Sequence, residues 1–173
     1  YEYPVVVDTG SSNLALAVSS CDCGDGDTDF ACDTIASETI DVVYGTGSWS
    51  GVATEPITVG FSGTDVASDA VTMAAITSQD DFFTATGYNG IMGLAYPDLC
   101  EAYEGASASP FLTQLVDAGA LDADVFSITF CESAPTLGLG GVDGSTLDGD
   151  VTYVDTQEFE GVEYAYFLVT LSS

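Results

Sequence analysis

The sequence predicts an all-β fold with one short helix, and three observations carry that expectation. Short apolar or alternating runs recur from end to end, each bounded by Gly, Ser, Asp or Thr, which is the pattern of strands and turns. Nine Phe, nine Tyr and 19 Gly favour short strands and tight turns over long helices. Only one segment sets apolar residues at helical spacing. With 173 residues, 46% of them hydrophobic, the chain can build one core, and no repeat or long linker divides it. Residues 1–173 therefore read as a single lobe.

The expected strands are Tyr3 to Val7, Leu14 to Val18, Thr39 to Val43, Ile57 to Phe61, Ala70 to Ile76, Val125 to Phe130, Val151 to Val154 and Tyr164 to Leu171. Ile91-Met92-Gly93 reads as a core strand ending in a turn. Cys21 to Asp33 is polar, acidic and Gly-containing, and reads as a surface loop. The helix begins at Ser109 as cap and Pro110 in the first turn. It places Phe111, Leu112, Leu115 and Val116 on one face and ends at Gly119.

The charge balance narrows the partners. There are 28 acidic residues and no Lys, Arg or His, a formal net charge of −28. An ordinary chain is ~25% charged, about half of it basic, so on the order of 20 Lys plus Arg would be usual. Without them nothing can neutralise phosphate, so nucleic acid and anionic membranes are excluded as partners. Self-repulsion weakens the fold at neutral pH, and protonation or salt relieves it. An acidic surface adapted to salt, an acidic working compartment, resistance to Lys/Arg-directed proteases and a sequence that represents part of a longer chain are all compatible with this balance. No apolar run reaches the length of a membrane span. Tyr1-Glu2-Tyr3-Pro4 has neither a basic nor an apolar leader region, so no signal peptide is expected in these residues. A chain opening directly on a strand reads as trimmed at its front.

Cysteines stand at 21, 23, 32, 100 and 131. Three within a short stretch favour a small disulfide-closed loop in an oxidising compartment. With no His and no second Cys-x-x-Cys, no metal site is expected there, and no cofactor is expected elsewhere. Asp25, Asp27 and Asp29 alternate in a way that could attract Ca²⁺. Phe30 and Ala36, however, stand where an EF-hand loop needs Gly and Glu, so a solvated acidic loop is the simpler reading. Neither Asn13 nor Asn89 lies in a glycosylation sequon.

Three motifs carry possible chemistry. In Val5-Val6-Val7-Asp8-Thr9-Gly10-Ser11-Ser12 an apolar strand delivers a carboxylate onto a tight turn. Backbone N–H groups and the Ser11 hydroxyl there could hold it as a base for activating water. An Asp in a Gly turn is by itself common turn chemistry. Val43-Tyr44-Gly45-Thr46-Gly47-Ser48-Trp49 is a Gly-rich segment between strands: an ordinary hairpin, or a lid that closes over substrate. Gly87 to Pro97 contains Ile91-Met92-Gly93, where a Gly lets one backbone pass close beneath another.

In this order and spacing the motifs resemble the pepsin family of aspartic peptidases, over nearly the whole chain. Asp8-Thr9-Gly10-Ser11 resembles the first catalytic motif, Tyr44 to Gly47 the flap, and Ile91-Met92-Gly93 the partner of the catalytic turn. Ser109 to Leu121, Val125 to Phe130, Leu139-Gly140-Gly141-Val142-Asp143 and Gly149 to Val154 follow the family's later segments. Further details are similar to the β-secretase branch. These are Ala74 to Thr77 with Asp80, Phe82 and Phe83, then Trp49 five residues after Tyr44, where it can hydrogen-bond the flap tyrosine, and Cys131. The Cys21 to Cys32 loop is similar in placement to a small disulfide loop of pepsin.

The resemblance implies a pepsin-like acid protease lobe of double-psi type, the N-terminal lobe of an endopeptidase that is secreted or lumenal. By that likeness Asp8 is one of two carboxylates sharing a proton and activating water against a polypeptide substrate at acidic pH. Thr9, Gly10 and Ser11 support Asp8. Tyr44, Gly45, Thr46 and Gly47 form the flap with Trp49, and Ile76, Phe82, Tyr88 and Ile91 line apolar subsites, though core packing explains those four equally. A second Asp-Thr-Gly or Asp-Ser-Gly is absent, since Asp143-Gly144 and Asp148-Gly149 match ordinary family turns. The family's first strand region and C-terminal lobe are likewise not in this sequence. The second Asp would come from a C-terminal lobe or a second chain, including a homodimeric partner. The rival reading is an inactive domain serving as a binding or structural module.

Overall fold

The computed structural model describes residues 1–83, 87–101, 109–130, 135–158, 160–161 and 165–171, leaving aside the side chains of 25, 35–38 and 146. Among the described residues ten strands and one α-helix follow in chain order: β1 (Val5–Asp8), β2 (Leu14–Ala17), β3 (Thr34–Val43), β4 (Ser48–Thr54), β5 (Ile57–Gly60), β6 (Ala67–Val71), β7 (Ala74–Asp80), β8 (Gly90–Gly93), α1 (Phe111–Asp117), β9 (Phe126–Thr129) and β10 (Thr136–Leu139). Six of them form one mixed sheet in the order β1-β8-β2-β7-β4-β3, and β5-β6 and β9-β10 are separate two-stranded pairs. The all-β expectation with a single helix holds.

The sheet is buried on both faces, and its central strands show why. All four residues of β2 and all four of β8 are buried. Because successive side chains on a strand point to opposite faces, Leu14 and Leu16 join one core while Ala15 and Ala17 join the other. Ile91 and Met92 divide in the same way. The first core contains Trp49, Ile76, Ile40 and Phe83 against the small Ala15, Ala17 and Ala74. The second contains Met73, Met92, Leu94, Phe111 and Leu115. Alanines on one face leave room for the indole, and leucines on the other reach the helix.

Glycine sets how closely the central strands meet the turn after β1. Asp8 lies opposite Gly93 in the parallel β1–β8 register. A Cβ on Gly93 would stand 2.5 Å from both Ser11 O and Ser12 N. Only a residue without a side chain lets the end of β8 slide beneath the Asp8–Asn13 turn.

Several expectations are corrected. Ala70 to Ile76 is not one strand, because the chain leaves β6 and enters β7 across Thr72 and Met73. Thr72 exchanges two hydrogen bonds with the Gln114 side chain (2.9 Å each), and Met73 O accepts from Thr54 N at 2.9 Å. These competing partners replace a continuous ladder. The strand expected from Thr39 starts at Thr34 and carries a register shift between Ile35 and Ile40. Val151 to Val154 forms no strand, and Tyr153 is 91% exposed. Of Tyr164 to Leu171, residues 165–171 are described and form no strand, although Phe167 packs on Tyr96 (4.7 Å) and Phe126 (5.4 Å). Ser109 does not cap α1. Pro110 occupies the cap position with no side-chain bond, and Gln114 Nε2 donates to Ser109 O at 2.9 Å instead. Gly119 ends the helix region at a φ of +73°.

Cys21 and Cys23 form a disulfide, with Cα atoms 5.2 Å apart, so the bridge does not run from Cys21 to Cys32. Phe30 O accepts from Ser19 N and Thr28 Oγ1 donates to Ala17 O, so the two arms of the loop pair before Cys32 and diverge toward it. Cys32 and Cys100 are free thiols, and Cys131 lies outside the described residues. The acidic loop carboxylates have internal work. Asp27 Oδ1 accepts from Cys23 N at 2.7 Å, and Asp29 accepts from the Tyr3 hydroxyl, which pushes that phenol up to about 12.

Three outcomes are expected. With no basic side chain to offset 28 carboxyl groups, the melting temperature at neutral pH should rise by several degrees when salt shortens the Debye length to about 3 Å. It should also rise on mild acidification. Thermal scans over both variables check this, and a flat response would remove self-repulsion as a determinant of stability. Gly93→Ala should cost about 1–3 kcal/mol or more, read from urea unfolding, because backbone rather than a flexible side chain blocks the new methyl. Burial first, and Glu101 second, push the Cys100 thiol up to about 11. Its thiolate, and so its alkylation rate, should keep rising with pH toward that value. In native protein at mildly alkaline pH it should react more slowly than an ordinary exposed thiol in peptide-mapped alkylation.

Candidate active site

The site is assembled where β1 ends. Three valines make β1 a strand, and Asp8, its last residue, is half-buried at the rim. The chain then turns through the exposed Thr9 and Gly10. Gly10 N donates to Asp8 Oδ1 at 2.8 Å, and Ser11 Oγ donates to Asp8 Oδ2 at 2.7 Å. Each carboxylate oxygen therefore has its own donor, which fixes the plane of the group. From below, Leu94 N donates to Asp8 O at 2.7 Å and Ala95 N to Ser11 O at 2.8 Å.

The segment expected as a flap is the hairpin joining β3 and β4, closed by Tyr44 N donating to Gly47 O at 2.7 Å. Gly45 and Thr46 are exposed at its tip. Gly47 sits against the chain at Asp81, where a Cβ would come within 2.4 Å of Asp81 O. Tyr44 points inward. Trp49 Nε1 donates to the Tyr44 hydroxyl at 3.3 Å, and Ser11 lies beside that hydroxyl. Two donor bonds are thus fixed here, Trp49 to Tyr44 and Ser11 to Asp8. Burial pushes the Tyr44 phenol above its usual value, the Asp8 charge adds to this, and the bonds from Trp49 and Ser11 oppose it. The phenol stays protonated from acid to neutral pH.

Beside the flap lies an aromatic cluster. Phe82 is 5.3 Å from Tyr44, 4.9 Å from Phe83 and 6.3 Å from Tyr88, and the Tyr88 hydroxyl donates to Phe82 O at 2.7 Å. Phe82 and Tyr88 are partly buried and can offer a wall to a ligand. Ile76 and Ile91 cannot do so to the same degree. They are 0% and 4% exposed and belong to the core beneath. The structure thus brings Asp8, Gly10, Ser11, Tyr44, Trp49, Phe82 and Tyr88 into one neighbourhood and assigns the two isoleucines to its foundation.

Sequence reasoning missed Ser12 and Asn13, which are polar yet 0% and 2% exposed. Ser12 Oγ donates to Tyr96 O at 2.6 Å, and Asn13 pairs with the backbone of Glu101. A run of polar residues wedged between two apolar strands is the signal that could have flagged them. Two cavities of about 470 and 450 Å³ lie elsewhere, one beside Tyr96 and Phe167 and one between Tyr3, Phe61 and Phe111. Neither is lined by Asp8 or Tyr44.

Residues 1–173 match the model of a family described as eukaryotic aspartyl protease. Pepsin A of Sus scrofa is 30% identical over 186 aligned residues, covering 99% of this chain and 44% of the relative. Pepsin A of Bos taurus is 29% identical with 46% of its length covered, and Pepsin A of Suncus murinus 28% with 44%. The chain spans less than half the length of these curated relatives. It is similar to pepsins in general, and nothing in the comparisons singles out the β-secretase branch. A carboxylate with a donor on each oxygen, a tyrosine hairpin above it and a family match over every residue agree: the chain belongs to the eukaryotic aspartyl protease family.

Proposed function

We propose that this chain is the N-terminal lobe of an aspartic endopeptidase that hydrolyses peptide bonds at acidic pH. The observation that carries this reading is the double restraint on Asp8, from Gly10 N at 2.8 Å and Ser11 Oγ at 2.7 Å, beneath the Tyr44 hydroxyl. An oriented carboxylate at a rim open to solvent can serve as a base for a water molecule. Proton transfer to Asp8 accompanies attack of the water oxygen on the scissile carbonyl carbon. A second, protonated carboxylic acid donates to the carbonyl oxygen as negative charge develops there. Collapse of the tetrahedral intermediate breaks the C–N bond, and the leaving amine takes a proton.

The second acid belongs, in this proposal, to a C-terminal lobe or a second chain. The sequence holds one Asp-Thr-Gly, and the relatives extend beyond the matched region. Phe82 and Tyr88 would contact apolar substrate side chains, while Tyr44, Gly45 and Thr46 would cover the scissile bond and limit water. The Cys21–Cys23 disulfide supports an oxidising, secreted or lumenal setting.

Natively purified protein, weighed intact for an accompanying lobe, should cleave a denatured protein substrate in acid and lose that activity near neutrality. Pepstatin should block it, and Asp8→Asn should abolish it without changing the fold seen by circular dichroism. A folded sample with a verified second lobe and no acid cleavage would overturn the peptidase reading in favour of a binding or structural module.

A further inference from the structure

The loop that carries Asp8 is stitched to a single downstream segment. Leu94 N, Ala95 N and Gly93 N donate to Asp8 O (2.7 Å), Ser11 O (2.8 Å) and Asn13 O (2.9 Å), forming the backbone frame. Two buried side chains then reach beyond that frame. Ser12 Oγ donates to Tyr96 O at 2.6 Å. Asn13 is bidentate: its Oδ1 accepts from Glu101 N at 3.0 Å, and its Nδ2 donates to Glu101 O at 3.2 Å. Between these anchors Tyr96 to Cys100 is drawn into a tight turn, with Leu99 N donating to Tyr96 O at 3.1 Å and Cys100 N to Pro97 O at 2.9 Å. The Cys100 thiol lies 3.9 Å from Ser12 O, filling the space under the loop.

On its upper side the loop is exposed at Thr9 and Gly10. The aim of the two Asp8 donors therefore depends on what grips the loop from below. Asn13 stands two residues after Ser11, is 2% exposed, and makes a pair of bonds that copies a strand ladder where the strand itself has ended. A neutral amide suits this place. It offers one acceptor and one donor to a backbone N–H and C=O, whereas a carboxylate would face Glu101 O with nothing to donate.

We propose that Asn13 is a positioning residue of the active site, which by clasping the Glu101 backbone holds the Ser11 hydroxyl and Gly10 N–H on Asp8. The role rests on the peptidase reading and acts through Asp8; Asn13 touches no substrate. Its loss leaves the Glu101 backbone N–H and C=O without this partner and lets the loop rise toward solvent. A displacement of about 1 Å in such a site lowers the rate by up to about a hundredfold.

The experiment uses the intact enzyme with its second lobe, comparing wild type, Asn13→Ala and Asn13→Asp. Pepstatin titration counts active sites, and steady-state kinetics follow peptide cleavage across acidic pH. In Asn13→Ala, kcat per titrated site should fall by about tenfold to a hundredfold with KM changed by less than about twofold. Asn13→Asp should match Asn13→Ala where its carboxyl is ionised and recover part of the rate as pH falls. The protonated acid regains a donor for Glu101 O, and Glu101 and Asp8 are the acidic residues named beside it. A merely structural role would reduce the number of titrated sites, leave kcat per site unchanged and show no acid recovery, and that result would overturn the proposal. If the wild-type enzyme cleaves nothing, the peptidase reading fails separately. Amide exchange then decides the positioning role: Gly10 N–H should exchange at least about tenfold faster in Asn13→Ala, and equal protection would overturn it.

Discussion

The site depends on one close approach between two backbones. Asp8 can be held at a strand end with its carboxylate facing outward because Gly93 brings β8 directly beneath the following turn, at a distance no side chain would permit. That contact turns three consecutive amides, Gly93, Leu94 and Ala95, toward the carbonyls of Asn13, Asp8 and Ser11. A turn that would otherwise be a mobile surface loop becomes part of the sheet. The donors to Asp8 inherit that rigidity, and electrostatic preorganisation of this kind is what a base for water activation needs.

The flap works against the same foundation from above. Trp49 is nearly completely buried in the core formed by Ala15, Ala17 and Ala74, yet its indole N–H reaches the Tyr44 hydroxyl. A core residue therefore sets the position of a hairpin residue. The Tyr44 phenol in turn lies beside Ser11, so packing beneath the sheet reaches the group that holds Asp8. The aromatic wall of Phe82 and Tyr88 is braced from behind by Phe83. The 24–26 turn packs on that ring so closely that a Cβ on Gly26 would lie 2.4 Å from it. Asn89 holds the same turn through the carbonyls of Gly26 and Asp27. The acidic loop thus serves as scaffold for the wall, which explains why its carboxylates bond inward to Cys23 N and Tyr3.

Charge acts on a different scale. A chain with 28 acidic residues and no basic side chain obtains no stabilisation from ion pairs of its own side chains. Its polar order rests on hydroxyls, amides and backbone groups. Ser12, Asn13, Gln114 and Asn89 bond backbone groups, and each is neutral. Such bonds persist in acid, where carboxylate-based pairing would be lost.

The sequence by itself determined the fold class and the one helix of the described residues, and it marked out the Asp8 turn and the Tyr44 hairpin, because those depend on local pattern: three valines before Asp8, a Gly-rich hairpin after Val43, apolar spacing from Phe111 to Leu115. It also showed the flap partnership of Tyr44 and Trp49, through a spacing carried by family resemblance. Only the tertiary structure decided which apolar residues face the site. Ile76 and Phe82 look alike in sequence, but one lies on a strand buried on both faces and the other at a strand's end beside the flap. Tertiary contacts likewise broke the strand at Thr72, where Gln114 competes for the backbone. They left Val151 to Val154 outside any strand, and they joined Cys21 to Cys23. The buried roles of Ser12 and Asn13 depend on Tyr96 and Glu101, more than eighty residues away. A side chain's hydrogen-bond partner across such a separation is set by how the sheet folds and leaves no local trace in the chain.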